Sequence, residues 1–97
     1  MVAPLIYEIS FPEAKEKLLK VIESMPRAEV ATYKENFLHV EFTSKIFRFV
    51  DDVEFYFNKP GVIHFRSASR IGHSDMGVNR HRIEEIRHLF TKGFLKK

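Results

Sequence analysis

The sequence predicts an α+β domain: a two-layer, mostly antiparallel sheet of about five strands with two helices packed on one face, the elements running βαββββα. Three observations carry that prediction. Several segments alternate apolar and polar residues with a period of two, as strands buried on one side do. Short polar turns join two pairs of them as hairpins. Two other segments repeat apolar residues at helical spacing.

Taken in order, Leu5 to Ile9 reads as a first strand, with Leu5, Tyr7 and Ile9 on one side. Ser10-Phe11-Pro12-Glu13 opens a helix. Ser10 caps it, Glu13 returns the capping-box bond, and Pro12 sits in the first turn, where a missing N–H costs nothing. Ala14, Leu18, Val21, Ile22 and Met25 form its apolar stripe, and Met25-Pro26 ends it, because a residue before proline leaves the α region. Arg27 to Tyr33 and Phe37 to Thr43 pair through the polar turn Lys34-Glu35-Asn36. Ser44 to Arg48 is a loop, a bulge or a helical turn. Val50 to Phe57 and Val62 to Ser69 form a second hairpin, joined through Asn58-Lys59-Pro60-Gly61, in which Pro then Gly suit a type II turn. Arg80 to about Phe94 is the second helix, with Ile83, Ile86, Phe90 and Phe94 toward the core; Gly93 and Lys96-Lys97 fray its end.

At 97 residues with 44% hydrophobic content, the chain suits one ordered domain spanning residues 1–97. Ten phenylalanines and no tryptophan imply a Phe-rich core. Without cysteine there is no disulfide, no thiolate nucleophile and no zinc-thiolate site. The net charge of +3 is uneven. Residues 1–60 hold eight Lys or Arg against ten Asp or Glu, and residues 61–97 hold eight against three. A solubilising surface is the plain explanation; nucleic acid, acidic lipid or an acidic protein is the functional one. His64, Phe65 and Arg66 share a strand in the basic half, but no RNP-like aromatic-basic segment accompanies them. Weak nucleic-acid binding is therefore an alternative, not the expected role. No apolar run is long enough to span a bilayer, and the N-terminus has no signal-peptide pattern. The sequence as given is expected to be cytoplasmic.

The densest polar stretch is Arg66 to Arg80, with three arginines, three serines, a histidine, two asparagine-or-aspartate side chains and two glycines inside it. Gly72 and Gly77 have P-loop spacing, but Val78-Asn79 stand where Lys and Ser or Thr would be needed, which excludes nucleotide hydrolysis by that route. A Ser69/His73/Asp75 arrangement, or one using Ser74, would make a hydrolase-like or metal-dependent enzyme. Residues so close in sequence rarely reach triad geometry, and no glycine-flanked serine elbow is present. His64, His73 and Asp75 match no metal-ligand spacing. No catalytic residue, metal ligand or cofactor is assigned.

Arg80, His81 and Arg82 fall in the first turn of the helix as read here, where cations oppose the macrodipole. Either Asp51, Asp52 or Asp75 neutralises them, or the helix end and its arginines hold a carboxylate or phosphate. Arg66 and Arg70 alternate on one face of their strand, with Ser67 and Ser69 on the other, and would form a second arm. The second hairpin brings Asp51 and Asp52 near Ser67, Ser69 and Arg70, so both carboxylates are expected to face the Arg66–Arg80 segment. The candidate ligand-binding residues are thus Arg66, Ser67, Ser69, Arg70, Ser74, Asp75, Asn79, Arg80, Asp51 and Asp52. The expected role is a non-catalytic binding or structural module for a small anionic ligand or a protein partner.

Phe47-Arg48-Phe49-Val50-Asp51-Asp52-Val53-Glu54-Phe55, and the run from Val62 through Arg66-Ser67-Ala68-Ser69-Arg70 and Ser74-Asp75 to Asn79-Arg80, resemble domain-of-unknown-function family 1499. That family pairs a Phe-Val-Asp-Asp-Val/Ile-Glu strand with an Arg-Ser-Ala-Ser-Arg…Gly…Ser-Asp…Gly…Asn-Arg segment. The resemblance runs from about Val2 to the final helix and implies no activity and no catalytic residues. Family members usually carry an upstream Asn-Cys-Val-Ser-like segment, often behind a signal sequence or lipoprotein anchor. The sequence here starts after that point, so the resemblance sets an exported or anchored location beside the cytoplasmic expectation.

Overall fold

The computed structural model describes residues 4–46, 48–70 and 76–92, with backbone alone for residues 76–79. Strand β1 is Leu5–Ile6, helix α1 Phe11–Glu23, β2 Ala28–Lys34, β3 Phe37–Thr43, β4 Val50–Lys59, β5 Val62–Ser69 and helix α2 Met76–Lys92. The strands form one sheet in the order β1-β5-β4-β3-β2, and each neighbouring pair is antiparallel. The expected α+β order is the observed one.

Alternation explains which face is covered. Leu38, Val40 and Phe42 of β3, Val53, Phe55 and Phe57 of β4, and Ile63 of β5 are buried. They meet Ala14, Leu18, Val21 and Ile22 of α1 and Ile83, Ile86 and Phe90 of α2 in a single cluster. Both helices therefore lie on one face of the sheet, and the intervening residues face away from them.

Local signals set the ends of the elements. Ser10 Oγ accepts from the Glu13 N–H at 3.3 Å, and Ser10 N–H donates back to the Glu13 carboxylate at 3.2 Å, closing the capping box before α1. Gly61 has φ 78°, the left-handed value that the second central position of a type II turn requires, between the paired residues Lys59 and Val62. A bulge between Val30 and Thr32 interrupts β2, an outer strand, and such breaks discourage edge pairing. Ser44 to Arg48 carries no regular element at its described positions; Ser44 N–H donates to the Phe49 carbonyl at 2.8 Å and its hydroxyl accepts from the Phe49 N–H at 2.9 Å.

Some boundaries differ from expectation. Strand β1 stops at Ile6 instead of Ile9; beyond it only Tyr7 N–H bonds across, to the Gly61 carbonyl at 3.0 Å, and Ile9 is exposed. Strand β2 lies one residue later than read, and β4 continues to Lys59. The larger correction is α2, which begins at Met76 and not at Arg80. Arg80, His81 and Arg82 thus stand in its second turn, where the first-turn macrodipole penalty has faded. Phe94 and the Gly93 and Lys96-Lys97 end lie outside the described residues.

Candidate functional site

The pleat divides the polar residues of the sheet between two surfaces. Asp52, Glu54 and Tyr56 of β4 stand beside His39 and Glu41 of β3 and His64, Arg66 and Ala68 of β5 on the face without helices. Asp51, Ser67 and Ser69 point the other way, with the core residues Val53 and Phe55. The expectation that Asp51 and Asp52 face the Arg66–Arg80 segment holds for Asp52, which meets Arg70, whereas Asp51 takes the opposite face beside Ser69, because neighbours in a strand alternate. The pairings of Asp51 with Ser69 and Asp52 with Ala68 follow the hairpin register as read.

On the open face, Glu41 and Asp52 are directly opposed, an arrangement that repels when both are ionised. Arg70 resolves it. Its Nε donates to Asp52 Oδ2 at 2.9 Å, and one terminal nitrogen donates to Asp52 Oδ1 at 2.9 Å and to Glu41 Oε2 at 2.6 Å. The small side chain of Ala68, cross-strand from Asp52, leaves room for this fork; Arg70 itself is held by its N–H bond to the Val50 carbonyl at 3.2 Å. His39 Nε2 lies 2.7 Å from Asp52 Oδ1. The Arg70 guanidinium holds the Asp52 carboxyl below its ordinary value, against the opposing effect of burial, and His39 adds to the lowering. Reciprocally, Asp52 and then Glu41 push the Arg70 guanidinium further up.

The row continues along the strands. Tyr56 donates its hydroxyl to Glu54 at 2.5 Å, which raises the Tyr56 pKa because the bond favours the protonated phenol. Arg66, cross-strand from Glu54, approaches the same carboxylate at 3.7 Å and remains mostly exposed. His39, Asp52, Glu54, Arg66, Ala68 and Arg70 line a shallow cleft of about 330 Å³.

His39, Glu41 and Asp52 bring three donor atoms within 4.8 Å of one another, a mixed imidazole and carboxylate set that suits a divalent ion. The Arg70 fork already supplies the positive charge at those carboxylates, and a metal would have to displace it. Of the residues weighed in the sequence for metal chemistry, His64 lies opposite Tyr56, and His73 and Asp75 are outside the described residues.

On the helix side, Arg82 donates to Asp51 Oδ2 at 3.1 Å, with both side chains mostly buried. The Arg82 guanidinium also stacks over the Phe42 ring at 4.7 Å, which shields the pair from water. Arg80 is exposed and makes no ion pair among the described residues. Of the other candidates, Ser67 and Ser69 share the helix-side surface with Asp51; Ser74 and Asp75 lie outside the described residues, as does the side chain of Asn79. Of the cations Arg80 to Arg82, Arg82 is the one paired with Asp51, as in the reading where that carboxylate neutralises the group. His39, Glu41 and Glu54 were missed. Their only sequence signal is placement on the polar side of an alternating strand, which every solvated strand shares.

The family model described as "Protein of unknown function (DUF1499)" matches residues 1–90 of the 97. Neither the curated proteins nor the solved structures contain a match to the chain.

Proposed function

The chain belongs to the DUF1499 family, whose description assigns no activity, and from that premise we propose that it is a non-catalytic binding or structural module. The observation that carries this reading is the use already made of Asp52. A His–carboxylate pair is the usual core of a general-base site, and here His39 and Asp52 are 2.7 Å apart. Yet Asp52 shares its oxygens with Arg70, which lowers its basicity, and no serine, threonine or tyrosine hydroxyl bonds to His39 among the described residues. The pair acts as a clamp across β3, β4 and the end of β5.

The nucleic-acid alternative has less support. His64 and Arg66 face the open side, whereas Phe65 packs against the core, so the three do not form a basic stacking platform. No helix among the described residues is long and apolar enough to cross a membrane.

The experiment is a broad hydrolase, esterase and phosphatase screen on wild type and on His39→Ala and Asp52→Asn. The expected result is no turnover above buffer in any of the three. Turnover in wild type that disappears in either variant would overturn the proposal. Anisotropy with single-stranded RNA and DNA at low salt should stay flat; a rise that collapses with added salt would favour the nucleic-acid role instead.

A further inference from the structure

We propose that the cleft between the end of α1, the β3–β4 loop and α2 is an oxyanion site of the phosphate class, an inference that rests on the non-catalytic reading and gives it a ligand. The cleft has a volume of about 310 Å³, enough for a phosphate group and its immediate substituent. Arg27, Lys45, His81 and Arg82 line it, and Glu85 is the sole carboxylate in its wall among the described residues.

Two of these cations, Arg27 and Lys45, differ from the arginines that the fold pairs with carboxylates. Arg66, Arg70, Arg82 and Arg87 each have one: Glu54, Asp52 with Glu41, Asp51 and Glu84. Arg27 and Lys45 form no ion pair among the described residues, although they border the same cleft. The charges of Arg27 and Lys45 are thus not taken up by ion pairs among the described residues, whereas on the open face Arg66 and Arg70 are each paired with carboxylates.

Arg27 is also held in a costly conformation. Its φ is 57°, in the left-handed region that a side chain bearing a Cβ disfavours, and such outliers cluster where geometry serves a site. Two bonds fix it. Thr43 N–H donates to the Arg27 carbonyl at 3.0 Å, and Arg27 Nε donates to the Thr43 carbonyl at 3.1 Å. Among the described residues only Nε is used, which leaves the two terminal nitrogens for an oxyanion, the planar pair of donors that phosphate and carboxylate accept from arginine. Lys45, two residues past Thr43 on the exposed loop, adds a point charge. Both residues line the one cleft, the setting in which a single phosphate group would engage both.

Isothermal titration of the full chain with inorganic phosphate at low salt, and separately with succinate, tests the site. Wild type should bind phosphate saturably and succinate more weakly, with affinity falling as salt rises. Arg27→Gly and Lys45→Gln should each weaken phosphate binding at least about tenfold, while Lys20→Gln on the exposed side of α1 should leave it unchanged. Glycine adopts the left-handed backbone freely, so Arg27→Gly should melt close to wild type, which separates lost binding from lost fold. The absence of saturable phosphate binding in wild type, or wild-type affinity in both Arg27→Gly and Lys45→Gln, would overturn the site. Tighter binding of succinate than of phosphate would overturn its ligand class. Turnover of a phosphate ester would count against the non-catalytic reading instead, so the two failures are told apart.

Discussion

Asp51 and Asp52 are adjacent in sequence and differ in the face of the sheet that the pleat gives them. Asp51 pairs with Arg82, with side-chain exposures of only 15% and 12%, so removing the arginine leaves a nearly buried carboxylate without that partner. Arg82→Ala is expected to destabilise the domain by about 3 kcal/mol, whereas Arg80→Ala, on an exposed residue, should stay within about 0.5 kcal/mol. Urea unfolding of both variants checks this, and equal midpoints would contradict it. Asp52 makes a prediction in pH. Its folded pKa is lowered, so the folded state binds its proton less readily than the unfolded chain does. The stability it contributes is present above the unfolded pKa, near 3.8, and is lost as pH falls below that value through the folded one. Urea midpoints followed down that range should fall more steeply in wild type than in Asp52→Asn; parallel curves would show that the clamp has no linkage. Residue types on the open face were legible as polar alternation, and the second hairpin placed Asp52 near Arg70, but the entry of Glu41 into that pair was not legible. It depends on the register of three strands and on the smallness of Ala68, neither of which a single strand's pattern encodes.

Elements with strong local chemistry were the legible ones. Strands β3 and β5 lie where the alternation put them, because β3 alternates buried and half-buried residues and β5 alternates less and more exposed ones along their length. The capping box at Ser10 and Glu13 started α1 as read. Ser10→Ala should cost about 1 kcal/mol of stability, as the loss of a helix cap does, and Glu13→Gln should cost less because the amide oxygen still accepts. Thermal melts that rank the two the other way would show the cap to be incidental. Helix α2 was read a turn short, because Gly77 is a poor helix former and Met76 to Asn79 lack an apolar repeat leading into Ile83. The misplaced start made Arg80 look like an anomaly in a first turn, while the reading in which Asp51 neutralises this cation group is the one realised, through Arg82. At the hairpin of β4 and β5, Gly61→Ala tests the opposite kind of constraint. The added Cβ would sit 3.5 Å from the Tyr7 carbonyl, an ordinary contact, so any loss comes from the backbone. A left-handed alanine there is expected to cost about 1–2 kcal/mol.

For the molecule as a whole, hydrophobic alternation was enough to give two layers, since a sheet with one apolar side must be covered on that side. It could not give the sheet order, which depends on where β1 docks. Four strands, β2 to β5, pair with their neighbours in the chain through tight connections, while Leu5 reaches across the chain to Ile63 and Arg87 donates to the Pro4 carbonyl at 3.2 Å. That division has a kinetic consequence. Local hairpins close at small entropic cost, so β2 to β5 can assemble as an early meander, while the two-residue β1 waits for a long loop to close. In native-state hydrogen exchange, the amide of Ile63 on its β1 side should open at a lower free energy than the amides shared by β3 and β4. In stopped-flow refolding, Val40→Ala should slow folding, whereas Leu5→Ala should chiefly speed unfolding.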